Sequence, residues 1–172
     1  MLNPKVQDAI NEQINAELYS AYLYLSMAQY FEAEGLAGFA NWFKIQFQEE
    51  QAHATIFMNY VNQRGGRVML KAIDAVPTTW DSPMEVFRAT LEHEQKVTAL
   101  INSLYTLAMQ EEDYATRDRL NWFVGEQVEE EDNCRALIDK LRLIGDNGMG
   151  LYMLNTELAA RTYAAPSPLA AE

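Results

Sequence analysis

The chain has 172 residues, 49% hydrophobic and 22% charged, enough for one domain with a substantial core and too little for a second of similar size. Asp and Glu number 25 against 13 Lys and Arg, a formal net charge of -12, which repels nucleic acid and anionic membrane and concentrates cations. Cys134 is the single cysteine, so an internal disulfide and a multi-thiolate metal site are both excluded, and any metal would be held mostly by oxygen.

Asn3 before Pro4 reads as an N-cap and a first-turn proline, and no breaker follows until about Glu34, which predicts a first helix over that span. Its inward series is Ile10, Ile14, Glu17, Ala21, Tyr24 and Ala28, at steps of three and four, widened by Leu18 and Leu25. Gly35 to Gly38 is predicted as a short turn. The second helix runs to about Arg64 with Phe39, Phe43, Gln46, Glu50, His53, Phe57 and Tyr60 on one side, and Gly65 and Gly66 end it. Residues 67–81 contain Pro77, Thr78 and Thr79 and show no helical period.

The third helix starts near Ser82 with Pro83 in its first turn and turns Phe87, Leu91, Glu94, Val97, Ile101, Leu104 and Ala108 inward. A linker around Glu112 to Ala115 leads to the fourth, whose stripe is Leu120, Phe123, Gln127, Glu130, Cys134, Leu137, Leu141 and Ile144. Gly145 to Gly148 breaks the chain, and a short fifth helix covers roughly Met149 to Ala160. Residues 1–162 are therefore expected to form one all-α unit and residues 163–172 a flexible tail.

Four helices of roughly 27 to 30 residues predict a long four-helix bundle. The first two helices, and likewise the third and fourth, are joined by a few residues, so each pair is an antiparallel hairpin. Roughly 15 extended residues reach about 50 Å, and a helix of about 27 residues is about 40 Å long. The second connection can thus run the length of the bundle and make the second and third helices parallel. No apolar run approaches a membrane span, and MLNPKVQDAINEQ lacks a basic region followed by an apolar one, so a cytoplasmic location is expected.

The hairpins bring polar groups to one level. Counted from residue 36, Glu17 lies 19 back while Glu50 and His53 lie 14 and 17 forward; counted from residue 113, Glu94 lies 19 back and Glu130 17 forward. At about 1.5 Å per residue, each helix therefore delivers a carboxylate to mid-height on its inner face. Buried carboxylates are costly unless paired or metal-bound, and these stripes offer one histidine and no lysine. Two cations can neutralise the set, and a shell of carboxylates with one imidazole suits iron or manganese. Glu50 and His53, three apart, serve one metal with Glu17; Glu94 and Glu130 serve a second; Glu50 lies between as a bridge.

Tyr24 can reach the site with its hydroxyl, to hydrogen-bond a ligand or supply an electron, or it is a core tyrosine. Glu49, Glu126 and Glu129 either converge on a third, weaker metal position or are solvated surface acids. Gln127 either hydrogen-bonds a bound oxygen species or closes a polar network. His93, about 100° out of phase with Glu94, is expected to be peripheral, Cys134 a packed thiol, and Trp42, Trp80 and Trp122 core or subunit-contact residues.

With NEQINAELYSAYLYLSMA, FQEEQAHA, LEHEQKVT, NWFVGEQVEEE and the final short helix, the chain resembles the bacterial non-haem ferritins of the ferritin-like superfamily over about residues 1 to 165. The resemblance implies a ferroxidase centre in which Glu17, Glu50 and His53 hold one iron, Glu94 and Glu130 with bridging Glu50 hold a second, and Glu49, Glu126, Glu129 and Glu130 surround a third. It implies oxidation of Fe(II) by dioxygen or hydrogen peroxide, storage of a ferric oxide mineral, and a 24-subunit homo-oligomeric shell in which the fifth helix, with Leu151, Leu154 and Leu158, packs about fourfold axes.

The haem-binding relatives carry a second glutamate and histidine pair on the fourth helix and a methionine just before the metal-binding histidine. Gln127, Glu130 and Ala52 stand in those places, so no haem is expected. The fifth helix is missing from the small starvation-type relatives. A diiron oxidase or peroxidase without storage, and a bundle whose metal is only structural, are the rival readings.

Overall fold

A computed structural model of the chain describes residues 2–170, which form six helices: α1 (Pro4–Ala33), α2 (Ala37–Gln63), α3 (Pro83–Gln110), α4 (Tyr114–Ile144), α5 (Gly148–Ala159) and α6 (Ser167–Ala170). Among the described residues no helix is long and apolar enough to cross a membrane. The capping signals act as the sequence predicts. Asn3 Oδ1 accepts from the Lys5 amide at 2.9 Å ahead of Pro4, and Ser82 Oγ accepts from the Glu85 amide at 3.2 Å ahead of Pro83. Asp113 and Asn147 cap α4 and α5 in the same way.

α1 packs on α2, α3 on α4, and α1 on α3, as two antiparallel hairpins side by side. The connection between α2 and α3 climbs the length of α1: the Arg67 amide donates to Gln7 and the Met69 amide to Asn11, Lys71 pairs with Glu12, Ser26 donates to the Pro77 carbonyl, and Trp80 packs edge-on against Tyr30. This route returns the chain to the C-terminal end of α1 before α3 begins, so α2 and α3 run parallel.

The α1–α2 turn is shorter than predicted. Gly38 belongs to α2, and its missing Cβ has a packing role: a methyl group there would lie 1.7 Å from the Asn155 carbonyl oxygen of α5. Leu36 supplies no side-chain cap to α2; instead Asn155 Oδ1 accepts from the Gly38 and Phe39 amides at 2.8 and 3.3 Å. The start of α2 is thus capped from 117 residues away, where no local signal exists. Leu154 and Leu158 are buried within the subunit against the end of the bundle, and Leu151 packs partly against the same cluster. Within the expected tail, Leu169 of α6 packs against the opposite end of the core; residues 171–172 lie outside the described residues.

The predicted stripes are buried almost throughout, with Leu18, Leu25, Leu91 and Ile144 only half-buried. The core divides in two. At one end Phe31, Phe39, Phe43 and Phe87 stack on one another with Trp42, Cys134 and Leu137; at the other lie Ile10, Ile14, Phe57, Val97, Ile101, Leu120 and Phe123. Between the two apolar halves sits a polar layer.

Candidate metal centre

Glu17 from α1, Gln46, Glu50 and His53 from α2, Glu94 from α3, and Gln127 and Glu130 from α4 make up that layer, none more than 4% exposed. Placing ionisable groups between two hydrocarbon clusters removes the water that would otherwise solvate them. Burial accordingly raises the pKa of all four glutamates, and neighbouring carboxylates of the layer add to it at Glu17, Glu50 and Glu130. Glu17 is pushed well above the usual carboxylate range by desolvation and then by Glu50, and Glu50 by desolvation and then by Glu94 and Glu130. Glu130 is pushed up to about 8 by burial, with Glu94 and Glu49 contributing. Glu94 is also raised by burial, against hydrogen bonds that favour its ionised form.

Glu17, Glu50 and His53 converge: one ligand atom from each lies within 4.8 Å of the others, the one such group of three among the described residues. Glu50 Oε2 and His53 Nε2 are buried and have no hydrogen-bond partner, and Glu50 Oε2 approaches His53 Nδ1 at 3.4 Å. Native interiors rarely leave such buried atoms unsatisfied, and an ion between Glu50 Oε2 and His53 Nδ1 would satisfy Glu50 directly. Gln13, one turn before Glu17, donates to Glu17 Oε1 at 2.8 Å and holds the carboxylate facing the cluster. His53 Nε2 faces Glu126 Oε1 at 3.9 Å, so the imidazole stands between the cluster and an outer carboxylate, the usual arrangement behind a metal-binding histidine.

Glu94 and Glu130 are held in place by neutral donors. Tyr24 donates to Glu94 Oε1, Gln127 Nε2 donates to Glu94 Oε2 at 3.0 Å, and Gln46 Nε2 donates to Glu130 Oε2 at 2.9 Å. Tyr24 is therefore tied to Glu94, and Gln127 closes a polar network that also reaches Thr98. Gln13 and Gln46 were not singled out from the sequence. Gln46 carried the same signal as Gln127, an amide on an apolar stripe, while Gln13 is recognisable only through its i, i+4 relation to Glu17.

The acids of the expected third position are less gathered. Glu126 is half-buried beside His53, Glu129 is exposed, and Glu49 is bound by Arg161 of the segment after α5, Nη2 to Oε2 at 2.7 Å. Burial raises Glu49 although Arg161 and His53 pull it down. Arg161 could not be anticipated, because 112 residues separate it from its partner.

His93 is not peripheral. It is half-buried, hydrogen-bonds Ser20 Oγ at 2.8 Å, and sets its ring edge-on to Tyr24 with centroids 5.9 Å apart. Its helical phase misleads because α1 and α3 pack closely enough to cover a residue well off the central stripe. Burial lowers its pKa to about 4. Cys134 is fully buried with its thiol pKa pushed up, as a packed thiol should be. Trp42 lies in the core, Trp80 packs on Tyr30, and Trp122 is edge-on to His53 at 5.5 Å.

Known proteins match the sequence and fold over nearly the whole chain. The ferritin-like domain matches residues 7–144. A bacterial non-heme ferritin of Bacteroides fragilis is 47% identical over 161 residues, 94% of this chain and 100% of that protein, and one of Staphylococcus aureus is 40% identical over 163 residues, 95% of this chain and 98% of that protein. Among solved structures, a closed form of the Archaeoglobus fulgidus ferritin made by site-directed mutagenesis superposes with a TM-score of 0.94 at 49% identity, covering 95% of this chain and all of that one. The open-pore ferritin of the same archaeon superposes at 0.93, also at 49% identity, over 94% of this chain and all of that one.

Proposed function

The chain belongs to the bacterial non-haem ferritins of the ferritin-like family, and from that membership we propose that it oxidises Fe(II) at an intrasubunit dimetal centre and stores the ferric product as an oxide mineral inside a 24-subunit shell. The observation that carries this reading is the convergence of Glu17, Glu50 and His53, two of them with unpartnered buried atoms, beside Glu94 and Glu130 in one water-poor layer. Glu17, Glu50 and His53 hold one Fe(II) and Glu94 and Glu130 the other, with Glu50 bridging.

Each Fe(II) gives up one electron. The pair converts dioxygen with two protons to hydrogen peroxide, or hydrogen peroxide with two protons to two waters. Anionic oxygen ligands favour the higher charge of Fe(III), which drives the oxidation. Tyr24 and Gln127 orient Glu94, and Gln46 orients Glu130, so the carboxylates are set before the metal arrives. Glu126 stands behind His53, and with Glu49 and Glu129 it makes the third position, from which iron passes to the store. Met149, Tyr152 and Met153 of α5 are each about two-thirds exposed, an apolar face that supports association of this helix with further copies of the chain.

The test is anaerobic loading with Fe(II), then stopped-flow absorbance on adding oxygen, with iron per subunit and particle mass measured on the same sample. Rapid saturable oxidation of two irons per subunit followed by storage of many more in a large closed particle is expected. Glu50→Ala should slow the fast phase about tenfold or more while the particle still assembles. Normal fast oxidation in that variant refutes the bridging assignment, and turnover in a small oligomer that never stores iron refutes storage.

A further inference from the structure

Arg161 is anchored on α2 at several points. Nη2 donates to Glu49 Oε2 at 2.7 Å, Nη1 donates to the Trp42 carbonyl at 3.2 Å, and the guanidinium carbon lies 4.9 Å from the Trp42 ring centroid. Asn41 Nδ2 donates to the Arg161 carbonyl at 3.0 Å and to the Leu158 carbonyl at 3.1 Å, which pins the backbone on either side of the end of α5. A permanently charged, planar side chain held by its head, its face and its backbone is a built contact.

The carboxylate that receives it neighbours the metal centre. Glu49 adjoins Glu50 in the chain, and on the other side of the third position the buried, unpartnered Nε2 of His53 faces Glu126. Beside Arg161 lies a groove of about 280 Å³ lined by Trp42, Asn133, Lys140 and Glu157. Within that groove Glu157 pairs with Lys140 at 2.6 Å. Arg161 itself lines this groove, so a side chain displaced from Glu49 has open space beside it.

We propose that Arg161 is a tethered counter-cation that occupies Glu49 in competition with a metal ion, so that docking of the segment after α5 and metal occupancy of the Glu49, Glu126 and Glu129 face exclude one another. This deepens the storage reading and rests on it. A guanidinium within hydrogen-bond distance of Glu49 cancels the charge that would draw a cation there and repels the cation itself. Because it is tethered, it competes at a high effective concentration, whatever the protein concentration. The first two metal positions, built from side chains that Arg161 does not touch, remain tight, and the third ion is held loosely enough to move on.

The experiment titrates the assembled metal-free protein with Zn(II) by calorimetry and follows amide hydrogen exchange of residues 160–166 by mass spectrometry at each loading. In the wild type, exchange of that segment should stay constant over the first two ions per subunit and rise at least threefold as the third binds. Arg161→Ala should leave the first two events unchanged and tighten the third by about three- to tenfold. Arg161→Lys, which keeps the charge and loses the planar contacts with Trp42, should fall between. A third event of unaltered affinity in the alanine variant, or segment exchange indifferent to metal, overturns the proposal while the two tight events stand. Absence of the two tight events in the wild type overturns the storage reading and this proposal together.

Discussion

Loading the metal-free protein with Zn(II), which binds without oxidation, should expel protons from the polar layer, and Glu130 sets the scale. With its carboxyl pushed up to about 8 by burial and by Glu94, Glu130 is roughly nine-tenths protonated at pH 7 and roughly one-quarter protonated at pH 8.5. A metal ion binds the carboxylate, so this residue alone should release about 0.9 proton per subunit at pH 7 and about 0.7 fewer at pH 8.5. Glu17 and Glu50, also raised by burial, add to the first figure.

Calorimetric titration in two buffers of different ionisation enthalpy gives the proton count at each pH. Glu130→Gln should lower it by about 0.9 at pH 7. The same shift has a stability consequence of fixed sign. A carboxyl whose folded value exceeds its unfolded one favours the protonated native state, so its contribution is intact below about 4.5 and is lost as pH rises through about 8. Between those limits the metal-free protein should therefore lose thermal stability with rising pH, and Zn(II) should restore it. Proton release near zero at pH 7, or release that does not change between pH 7 and 8.5, would refute the claim that the layer is desolvated and mutually repulsive.

Two further substitutions probe the frame. Gly38→Ala forces a methyl group to within 1.7 Å of the Asn155 carbonyl, so α5 must lift away, uncapping α2 and exposing Leu154 and Leu158. At about 1.5–3 kcal/mol for each leucine, about 3–6 kcal/mol of docking energy is at stake; hydrogen exchange across α5 should accelerate, and unchanged protection would refute the close approach. Glu112, the non-glycine residue with a left-handed backbone among the described residues at φ 54°, joins α3 to α4. Glu112→Gly should raise the stability of the metal-free protein by about 0.5–1 kcal/mol in denaturant unfolding, and a loss of stability would show that its side chain contributes more than its backbone costs.

Much of this protein follows from sequence periodicity and helix geometry. The caps at Asn3 and Ser82, the stripes at steps of three and four, and the lengths of the three connections determined four long helices and their directions, because each is a local property of backbone and side chain. The same arithmetic determined that Glu17, Glu50, His53, Glu94 and Glu130 share one level, since equal counts from a hairpin turn become equal heights. Tertiary structure decided what periodicity cannot encode: that Asn155 caps α2, that Gly38 is a contact rather than a turn, that His93 braces Tyr24, that Gln13 and Gln46 orient carboxylates, and that Arg161 holds Glu49. Apart from the Gln13 contact one turn along α1, these join residues dozens of positions apart, and their partners are chosen by the rotation and separation of packed helices, quantities that exist only once the core has closed.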